Sequence, residues 1–496
     1  MAIASTLPTA PTDGRALNAC LWAIAAVIAA LACFVLVEPV VSMPFRVARN
    51  FNEGWNAYWA LTASTGGLLY PPMDALISNT YPPVSFLVLG FLGRTPADPI
   101  LVGRVVALIS LLVVTVNIGI WLRLNGTRFS VAVLSSVAFI VTMDMLGPGY
   151  IAKNDPQWFA HALITTAMVI LWRDPRSSTR VVSAATLVLL GGWAKHLLIA
   201  LPTALSVWLF QVNRRAFWRW LALLGALSAL FAAIALSHYG HDLISGVLWT
   251  PRRVSVKRVF MVATTVLPPL IPSLCFALAL IARYRSCAAS RFIINYLIIA
   301  GAVAILASAG DGVWVNAAFD AAIAGALATG MALEELAALP TIRGSRPVLI
   351  GATVVAAMIF VSSVPAAVAS NLARLRALPG KIDATTADIE FIRQHGARTA
   401  ACEALALCFW AGAPFNLDFF NFGQKLKTAR LPMTLCLQLF DGTRYSVVHL
   451  YSAPPDPDPV LPRACSGAIA QHYRVARSSS NGSFLVPRVP ELEPAR

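Results

Sequence analysis

The chain contains eleven apolar stretches long enough to cross a lipid bilayer, and this feature constrains its fold more than any other. A membrane-spanning helix needs about 17–25 mainly apolar residues and satisfies its backbone hydrogen bonds internally. Only 12% of the residues are charged, against about 25% in soluble domains. We therefore predict a polytopic all-α membrane bundle rather than a soluble enzyme or a disordered chain. The predicted spans are residues 19–41, 101–122, 129–147, 157–172, 181–195, 197–212, 217–237, 259–282, 292–309, 313–335 and 347–368.

Basic residues predict the orientation of these spans. With a cytoplasmic N-terminus, every inner loop is basic and nearly free of acids, as the positive-inside rule requires. We expect a multi-pass membrane protein, in which the net charge of +15 reflects topology and lipid contact rather than a nucleic-acid partner. The inner-loop bases are Arg123, Arg128, Arg173, Arg176, Arg180, Arg214, Arg215, Arg219, Arg283, Arg285, Arg291, Arg343 and Arg346.

Two regions are predicted to lie outside the membrane. The transmembrane domain, residues 1–368, includes a first outer loop at 42–100, in which the apolar segment 82–93 is too short to span and is expected to form an interfacial helix. Residues 369–496 regain charge and proline and predict a small periplasmic α/β domain, with an exposed loop at 454–460 and a loosely held end from about 476. Four cysteines in this tail permit disulfides, and three pairings stay open: they are Cys402, Cys408, Cys436 and Cys465.

The first outer loop is rich in aromatic residues and contains Glu53. A carboxylate held among aromatics at the membrane surface can have a raised pKa and act as a general base. The alternative is an ordinary solvated carboxylate. We predict that Glu53 is catalytic and that four residues of the same loop contact substrate: Asn52, Trp55, Tyr58 and Tyr81.

The next two outer turns bring further polar residues to the same face. Lys153, Asn154, Asp155 and Gln157 lie between two spans, and we predict a catalytic role for Asp155, although an Asp before a proline at a helix start is also a routine cap. Lys195 and His196 interrupt an apolar run, where ionisable groups indicate function unless the lysine extends to the lipid headgroups. We predict that Lys153 and Lys195 bind a donor phosphate and that Asn154, Gln157 and His196 bind substrate.

A basic cluster in the fourth outer loop breaks the positive-inside rule. Arg and Lys form charge-assisted hydrogen bonds to phosphate oxygens, so a bound phosphate would explain the cluster, and general attraction to anionic lipid is the alternative. The predicted phosphate ligands here are Arg252, Arg253, Lys257 and Arg258, with Asp311 of the next outer turn predicted to bind substrate.

Several segments together resemble bacterial GT-C fold glycosyltransferases, relatives of the aminoarabinose transferase and the protein O-mannosyltransferases. The resemblance rests on NFNEGWNAYWA, GGLLYPP, NTYPPVSF, VGRVVALISLL, IAKNDPQWFAHAL, GDGVWVNAAFDAAIAGAL and LALCFWAGAPFNLDFFNFGQKLKTAR. It implies transfer of one sugar from a polyprenyl-phosphate carrier to an acceptor at the outer face of the bacterial cytoplasmic membrane. It also implies that the family's acidic site residues fall on Glu53 and Asp155 and that its basic site residue falls on Lys195.

The sequence leaves the cofactor and the acceptor open. The family's first-loop acid is often paired with a second, but its neighbour here is Asn52, so no divalent metal or other cofactor is indicated. The alternatives to a glycosyltransferase are a transporter or flippase of lipid-linked glycan, and a surface-glycan polymerase or ligase. The absence of an internal repeat and the large outer segments favour the enzyme.

Overall fold

The computed structural model describes residues 13–94, 97–281, 287–337, 346–452 and 460–488. Each of the eleven predicted spans corresponds to a helix, and eight helices of the described chain are long and apolar enough to cross a membrane. The other three, α6 and α7 with 17 residues each and α8 with 13, are shorter. The helices up to residue 337 are α1 Asp13–Ser42, α2 Asn52–Ser64, α3 Val84–Leu92, α4 Pro99–Leu124, α5 Phe129–Leu146, α6 Gln157–Arg173, α7 Ser178–Ala194, α8 Ala200–Val212, α9 Arg214–Tyr239, α10 Asp242–Leu248, α11 Val256–Leu280, α12 Ala288–Ser308 and α13 Phe319–Ala337.

The prediction of a helical membrane bundle is thus confirmed. Its core is built from helices such as α5, α6 and α13, which bury most of their apolar side chains, including Phe139, Trp158 and Phe319. Helices such as α9 and α11 instead expose large apolar side chains, among them Ile234 and Phe260, as expected for surfaces in contact with lipid. Among the predicted inner-loop bases, Arg283, Arg285 and Arg343 lie outside the described residues.

The first outer loop forms two helices, α2 and α3, and the second matches the segment expected to be interfacial. The two pack closely, because a Cβ atom at Gly90 would come within 2.6 Å of the carbonyl oxygen of Ala60. Aromatic rings pack against each other within this loop, where the Trp55 ring centroid lies 5.0 Å from that of Tyr81 and 5.7 Å from that of Phe86. Packing of this kind holds a loop of about 60 residues in a defined conformation.

The tail is a small α/β unit, as predicted. Its elements are α14 Arg346–Gln394, β1 Ala400–Cys402, α15 Leu405–Ala411, α16 Phe419–Lys427, α17 Thr434–Leu439, β2 Val447–Leu450, α18 Arg463–His472, β3 Tyr473–Ser479 and β4 Gly482–Pro487. The sheet has the order β1-β2-β4-β3, with β1 parallel to β2 and the other pairs antiparallel. The helix α14 runs without a break across residue 368, where the sequence predicts the domain boundary.

Two details of the tail differ from or complete the prediction. Of the end from about 476, expected to be loosely held, residues 476–488 are instead ordered, mainly in β3 and β4, because Arg477 and Ser479 bind the buried Asp388 of α14 at 2.6 Å each. Residues 489–496 lie outside the described residues. The cysteines pair as Cys402–Cys408 and Cys436–Cys465. Of the predicted loop at 454–460, residues 454–459 lie outside the described residues.

The tail packs directly on the first outer loop rather than standing apart from the bundle. The Trp410 indole donates to Asp98 at 2.8 Å, the Lys425 ammonium donates to the Ala75 carbonyl at 2.6 Å, and the Tyr58 hydroxyl donates to the Ala413 carbonyl at 2.7 Å. Because these bonds cross between segments more than 300 residues apart in sequence, the loop and the tail form one outer layer above the spans.

Candidate active site

Glu53, at the start of α2, is fully buried in an ion pair with Arg104 of α4. The guanidinium binds both carboxylate oxygens, at 2.9 and 2.7 Å, and the backbone N–H groups of Arg49 and Asn154 donate to the same oxygens at 2.8 and 3.1 Å. Arg104 also donates to the carbonyls of the segment that follows α1. Glu53 therefore joins the first loop, α4 and the second outer loop.

This environment overturns the expectation of a raised pKa at Glu53. Burial raises the pKa of the carboxyl, but the charge of Arg104 and the hydrogen bonds outweigh it, so the pKa lies below the ordinary value. The solvated alternative is also wrong, because Glu53 is 0% exposed. Sequence reasoning missed Arg104 although it interrupts an apolar stretch, and an intramembrane ionisable residue is itself a signal of function.

Asp155 has a different environment, because it lies between two lysines. The Lys195 ammonium donates to Asp155 Oδ1 at 2.9 Å, and the Lys153 ammonium lies 3.6 Å from Oδ2. Both lysines also lie over tyrosine rings, Lys153 over Tyr150 at 4.0 Å and Lys195 over Tyr81 at 4.2 Å. All three charged groups are buried, so the group carries one surplus positive charge next to the outer loop.

The pKa shifts in this group follow from the shared carboxylate. Burial raises the pKa of Asp155, but the two lysines lower it more strongly, to about 2. Burial lowers the pKa of both lysines; Asp155 and Tyr81 reverse this effect for Lys195, whose pKa is raised, whereas the pKa of Lys153 stays lowered. Asp155 also accepts the N–H of Gln157 at 2.9 Å, so the capping alternative and the ion-pair role are both satisfied. Lys195 does not extend to the headgroups.

A cavity of about 660 Å³ opens between the outer loops and the tail. Eight of the predicted site residues line it: Asn52, Trp55, Tyr81, Lys195, His196, Arg252, Arg258 and Asp311. Glu53, Asp155 and Lys153 lie behind this lining, and their direct catalytic or phosphate-binding roles stay predictions. Lys195 connects the two layers, since it lines the cavity and its ammonium binds Asp155.

The basic cluster of the fourth outer loop divides into two parts. Arg252 lines the cavity, donates to the Asn421 amide oxygen at 2.6 Å and lies over the Phe420 ring at 5.1 Å. Arg258 lines it and pairs with Asp311 at 3.3 Å. By contrast, Arg253, which precedes α11, and Lys257, in the first turn of α11, are exposed and outside the lining. Their contact with a donor phosphate stays a prediction.

Three other predicted substrate contacts bind to neighbouring elements of the fold, and their contact with substrate stays a prediction. Tyr58 is buried against the tail, where its ring stacks on Phe415 at 4.8 Å. The Asn154 amide donates to the Glu53 carbonyl at 3.0 Å and fits only because residue 103 is glycine, since a Cβ there would lie 1.8 Å from its oxygen. Gln157 contacts His161 at 3.1 Å and accepts from Asn316 at 3.3 Å. None of the three is among the residues that line the described cavity.

The tail supplies lining residues that sequence reasoning did not identify. The most informative is Asp418, which caps α16 through the N–H of Asn421 at 3.0 Å and accepts from the Trp55 indole at 3.1 Å. Burial raises the pKa of this carboxyl, and the Asn421 and Trp55 hydrogen bonds and the charge of Arg252 only partly offset the effect. Glu403 and Tyr451 line the cavity as well. The available signal was the pattern LDFFNF, an Asp before a helix start.

A second cavity of about 640 Å³ lies beside the first, between α7, α8, α9 and α10. Its lining is mostly apolar, for example Val188, Leu224 and Ile244. His196 belongs to the lining of both cavities, and its Nδ1 atom is buried without a hydrogen-bond partner among the described residues. The first cavity and the apolar groove therefore meet at His196, Val247 and Leu248.

Within the described ranges, no three His, Cys, Asp or Glu side chains lie close enough together to hold a metal ion.

Comparisons with known proteins give a match in structure only. No protein-family model and no curated protein matches the sequence. Two solved structures that match are those of ArnT from Cupriavidus metallidurans, one bound to undecaprenyl phosphate and one in the apo state. Each is 14% identical to this chain with a TM-score of 0.55; the matches cover 94% and 92% of this chain and 98% and 97% of ArnT. The resemblance seen in the sequence is confirmed at the level of architecture: this chain has the GT-C fold of ArnT.

Proposed function

We propose that this protein is a membrane glycosyltransferase, which moves a single sugar from a polyprenyl-phosphate carrier to an acceptor at the outer face of the bacterial cytoplasmic membrane. The main observation is the junction at His196, where a cavity containing Lys195 and Arg252 adjoins an apolar groove. A charged phosphate on a long apolar chain has the chemistry to fill both. The fold shared with ArnT, one structure of which holds undecaprenyl phosphate, supports the same ligand class.

The donor phosphate is proposed to lie among Lys195, Arg252 and Arg258, with its prenyl chain in the groove. Cations at this position stabilise the charge that develops as the bond from the anomeric carbon to the phosphate oxygen breaks. Burial lowers the pKa of His196 to about 4, with further lowering by Lys195 and Arg252. The imidazole is therefore neutral near pH 7, and its ring N–H can donate to a phosphate oxygen.

Asp418 is the best candidate for the general base. In the reaction, an acceptor hydroxyl attacks the anomeric carbon, its proton passes to a carboxylate, and the polyprenyl phosphate departs. Of the lining carboxylates in the described chain, Asp311 is paired with Arg258, whereas Glu403 and Asp418 both accept hydrogen bonds from neutral N–H groups. Asp418 has a raised pKa, which brings it nearer the value that favours proton abstraction. Glu53 and Asp155 then act by positioning Arg104 and Lys195.

Asp418→Asn separates catalysis from folding, because asparagine caps helices about as well as aspartate. We expect the purified variant to keep its thermal midpoint within about 2 °C and to lose transfer from an undecaprenyl-phosphate sugar by a factor of about 10²–10⁴, the range for removing a general base. Wild-type activity in this variant would exclude Asp418 as the base. Translocation of the donor without any transfer by the wild type would favour the transporter alternative.

The two tail disulfides support the proposed orientation, with the N-terminus cytoplasmic and the tail periplasmic, since disulfides persist in oxidising compartments. The test is labelling of single cysteines in intact cells with a membrane-impermeant maleimide, using the exposed Leu68, Leu437 and Arg176. Leu68→Cys and Leu437→Cys are expected to react and Arg176→Cys to react only after lysis. Labelling of all three would contradict the topology.

A further inference from the structure

The Cys402–Cys408 disulfide closes a short segment of the tail, residues 403–407, at both ends. Cys402 is the last residue of β1 and Cys408 lies within α15, and both are buried. The segment is held further by the Glu403 N–H, which donates to the His449 carbonyl at 3.0 Å, and by the Ala404 N–H, which donates to His449 Nδ1 at 3.3 Å. The disulfide therefore fixes a segment that is neither a strand nor a long helix.

This segment is part of the cavity wall. Glu403 and Leu405 line the cavity, and the Glu403 carboxylate accepts the N–H of Tyr451, another lining residue, at 2.8 Å. The second disulfide has a different position, since Cys436 and Cys465 join α17 to α18 within the tail's own core. Neither Cys436 nor Cys465 lines the described cavity.

The segment also presses directly on α2. A Cβ atom at Gly54 would lie 2.1 Å from the Ala406 nitrogen and 2.3 Å from the Leu405 carbonyl carbon, so the two backbones touch without space for a side chain. Gly54 stands between Glu53, which is paired with Arg104, and Trp55, which lines the cavity and donates to Asp418. A shift of the segment would therefore displace both the ion pair and the cavity wall.

We propose that the Cys402–Cys408 disulfide is a positioning element of the active site, which holds 403–407 against α2 so that the cavity keeps the shape needed for transfer. The transfer readout of this inference rests on the proposed function; the contact between the segment and α2 does not. The Cys436–Cys465 disulfide serves the folding of the tail and provides the matched control.

The two disulfides make opposite predictions for stability and for activity. A disulfide that closes a longer loop restrains the unfolded chain more, and the sequence separations are 29 for Cys436–Cys465 and 6 for Cys402–Cys408. A purely structural role predicts the larger loss of both stability and activity from opening Cys436–Cys465. A positioning role predicts that the larger loss of activity comes from opening Cys402–Cys408.

The test compares the full-length double variants Cys402→Ser/Cys408→Ser and Cys436→Ser/Cys465→Ser in nanodiscs. We expect the first to lose at least about tenfold in kcat/KM, mainly in kcat, and to show faster amide hydrogen exchange in residues 52–60. The second is expected to have the lower thermal midpoint but a kcat/KM within about twofold of wild type and unchanged exchange in 52–60. Activity losses that follow the thermal midpoints would overturn the inference.

Hydrogen exchange tests the contact between residues 403–407 and α2 even when no transfer is detected. A wild type without transfer would overturn the proposed function, while faster exchange of 52–60 in Cys402→Ser/Cys408→Ser would still support the positioning contact. Gly54→Ala gives a second route if that variant folds poorly, because it keeps the disulfide and forces the two backbones apart. It is expected to raise exchange in both 52–60 and 403–407, and unchanged exchange there would contradict the inference.

Discussion

The two carboxylates that the sequence presents as equivalent, Glu53 and Asp155, are held in different ways. Glu53 has a single cation, Arg104, in a two-point pair that is closed to the cavity. Asp155 has two cations, and one of them, Lys195, also lines the cavity. The Glu53 carboxylate therefore neutralises Arg104 in a buried ion pair, whereas Asp155 and its two lysines leave one surplus positive charge beside the cavity. The number of cations per carboxylate, not the presence of the carboxylate, distinguishes a structural group from one suited to binding an anion.

The largest effect on stability is expected from breaking the Glu53 pair. Arg104→Met leaves Glu53 buried without its cation, which costs about 3–5 kcal/mol of unfolding free energy. Unfolding of the purified protein in detergent measures this loss. The double variant Arg104→Met/Glu53→Met is expected to recover most of it, because two apolar residues need no compensation. No recovery in the double variant would show that stability at this position depends on the backbone hydrogen bonds to Glu53 rather than on its ion pair with Arg104.

Removing one cation partner of Asp155 is expected to reduce transfer activity more than stability. Lys195→Met leaves Lys153 to neutralise Asp155, so the thermal midpoint should fall little, while transfer falls about 100-fold, the effect of removing one group that stabilises transition-state charge. Steady-state kinetics should show kcat reduced more than KM is raised. A large loss of stability with normal kcat would make the two carboxylates equivalent after all.

An effect of intermediate size is expected in the pH dependence of the unfolding free energy, which tests the environment of Asp155 directly. The pKa of Asp155 is about 2 in the folded protein and about 3.9 when unfolded, so its ionised form stabilises the fold by about 2 kcal/mol above pH 4. This contribution is lost as the pH falls from about 4 toward 2. The difference in unfolding free energy between wild type and Asp155→Asn should be constant from pH 7 to pH 5 and shrink at pH 3. A difference that already shrinks between pH 7 and pH 5 would mean a raised pKa.

The smallest effect concerns the neighbouring arginines of the fourth outer loop. Arg252→Ala removes a cavity cation and is expected to raise the donor KM about tenfold, equivalent to about 1.4 kcal/mol. Arg253, exposed and outside the lining, gives the smaller effect, about threefold or less, when changed to alanine. Titration of the transfer rate with an undecaprenyl-phosphate sugar compares the two. Equal effects would favour the alternative that the cluster attracts anionic lipid in general.

Much of the site's neighbourhood, but not its connections, was predictable from sequence. Asn52, Trp55, Lys195 and His196 could be placed together at one end of the bundle because they interrupt or flank apolar stretches. Asp418 could not be placed at the cavity, because its contact with Trp55 joins residues 363 positions apart. Its local pattern indicates only a helix cap, which is also correct.

The sequence by itself determined the helical bundle, the positions of its spans and the outer segments, since partitioning into lipid depends on the composition of each stretch alone. The tertiary structure decided which charges meet: Glu53 with Arg104, Asp155 with two lysines, and Cys402 with Cys408 rather than with either other tail cysteine. The physical reason is range. Hydrophobic burial of a span is a property of about 20 consecutive residues, whereas an ion pair or a disulfide depends on distances between segments that only the complete packing sets.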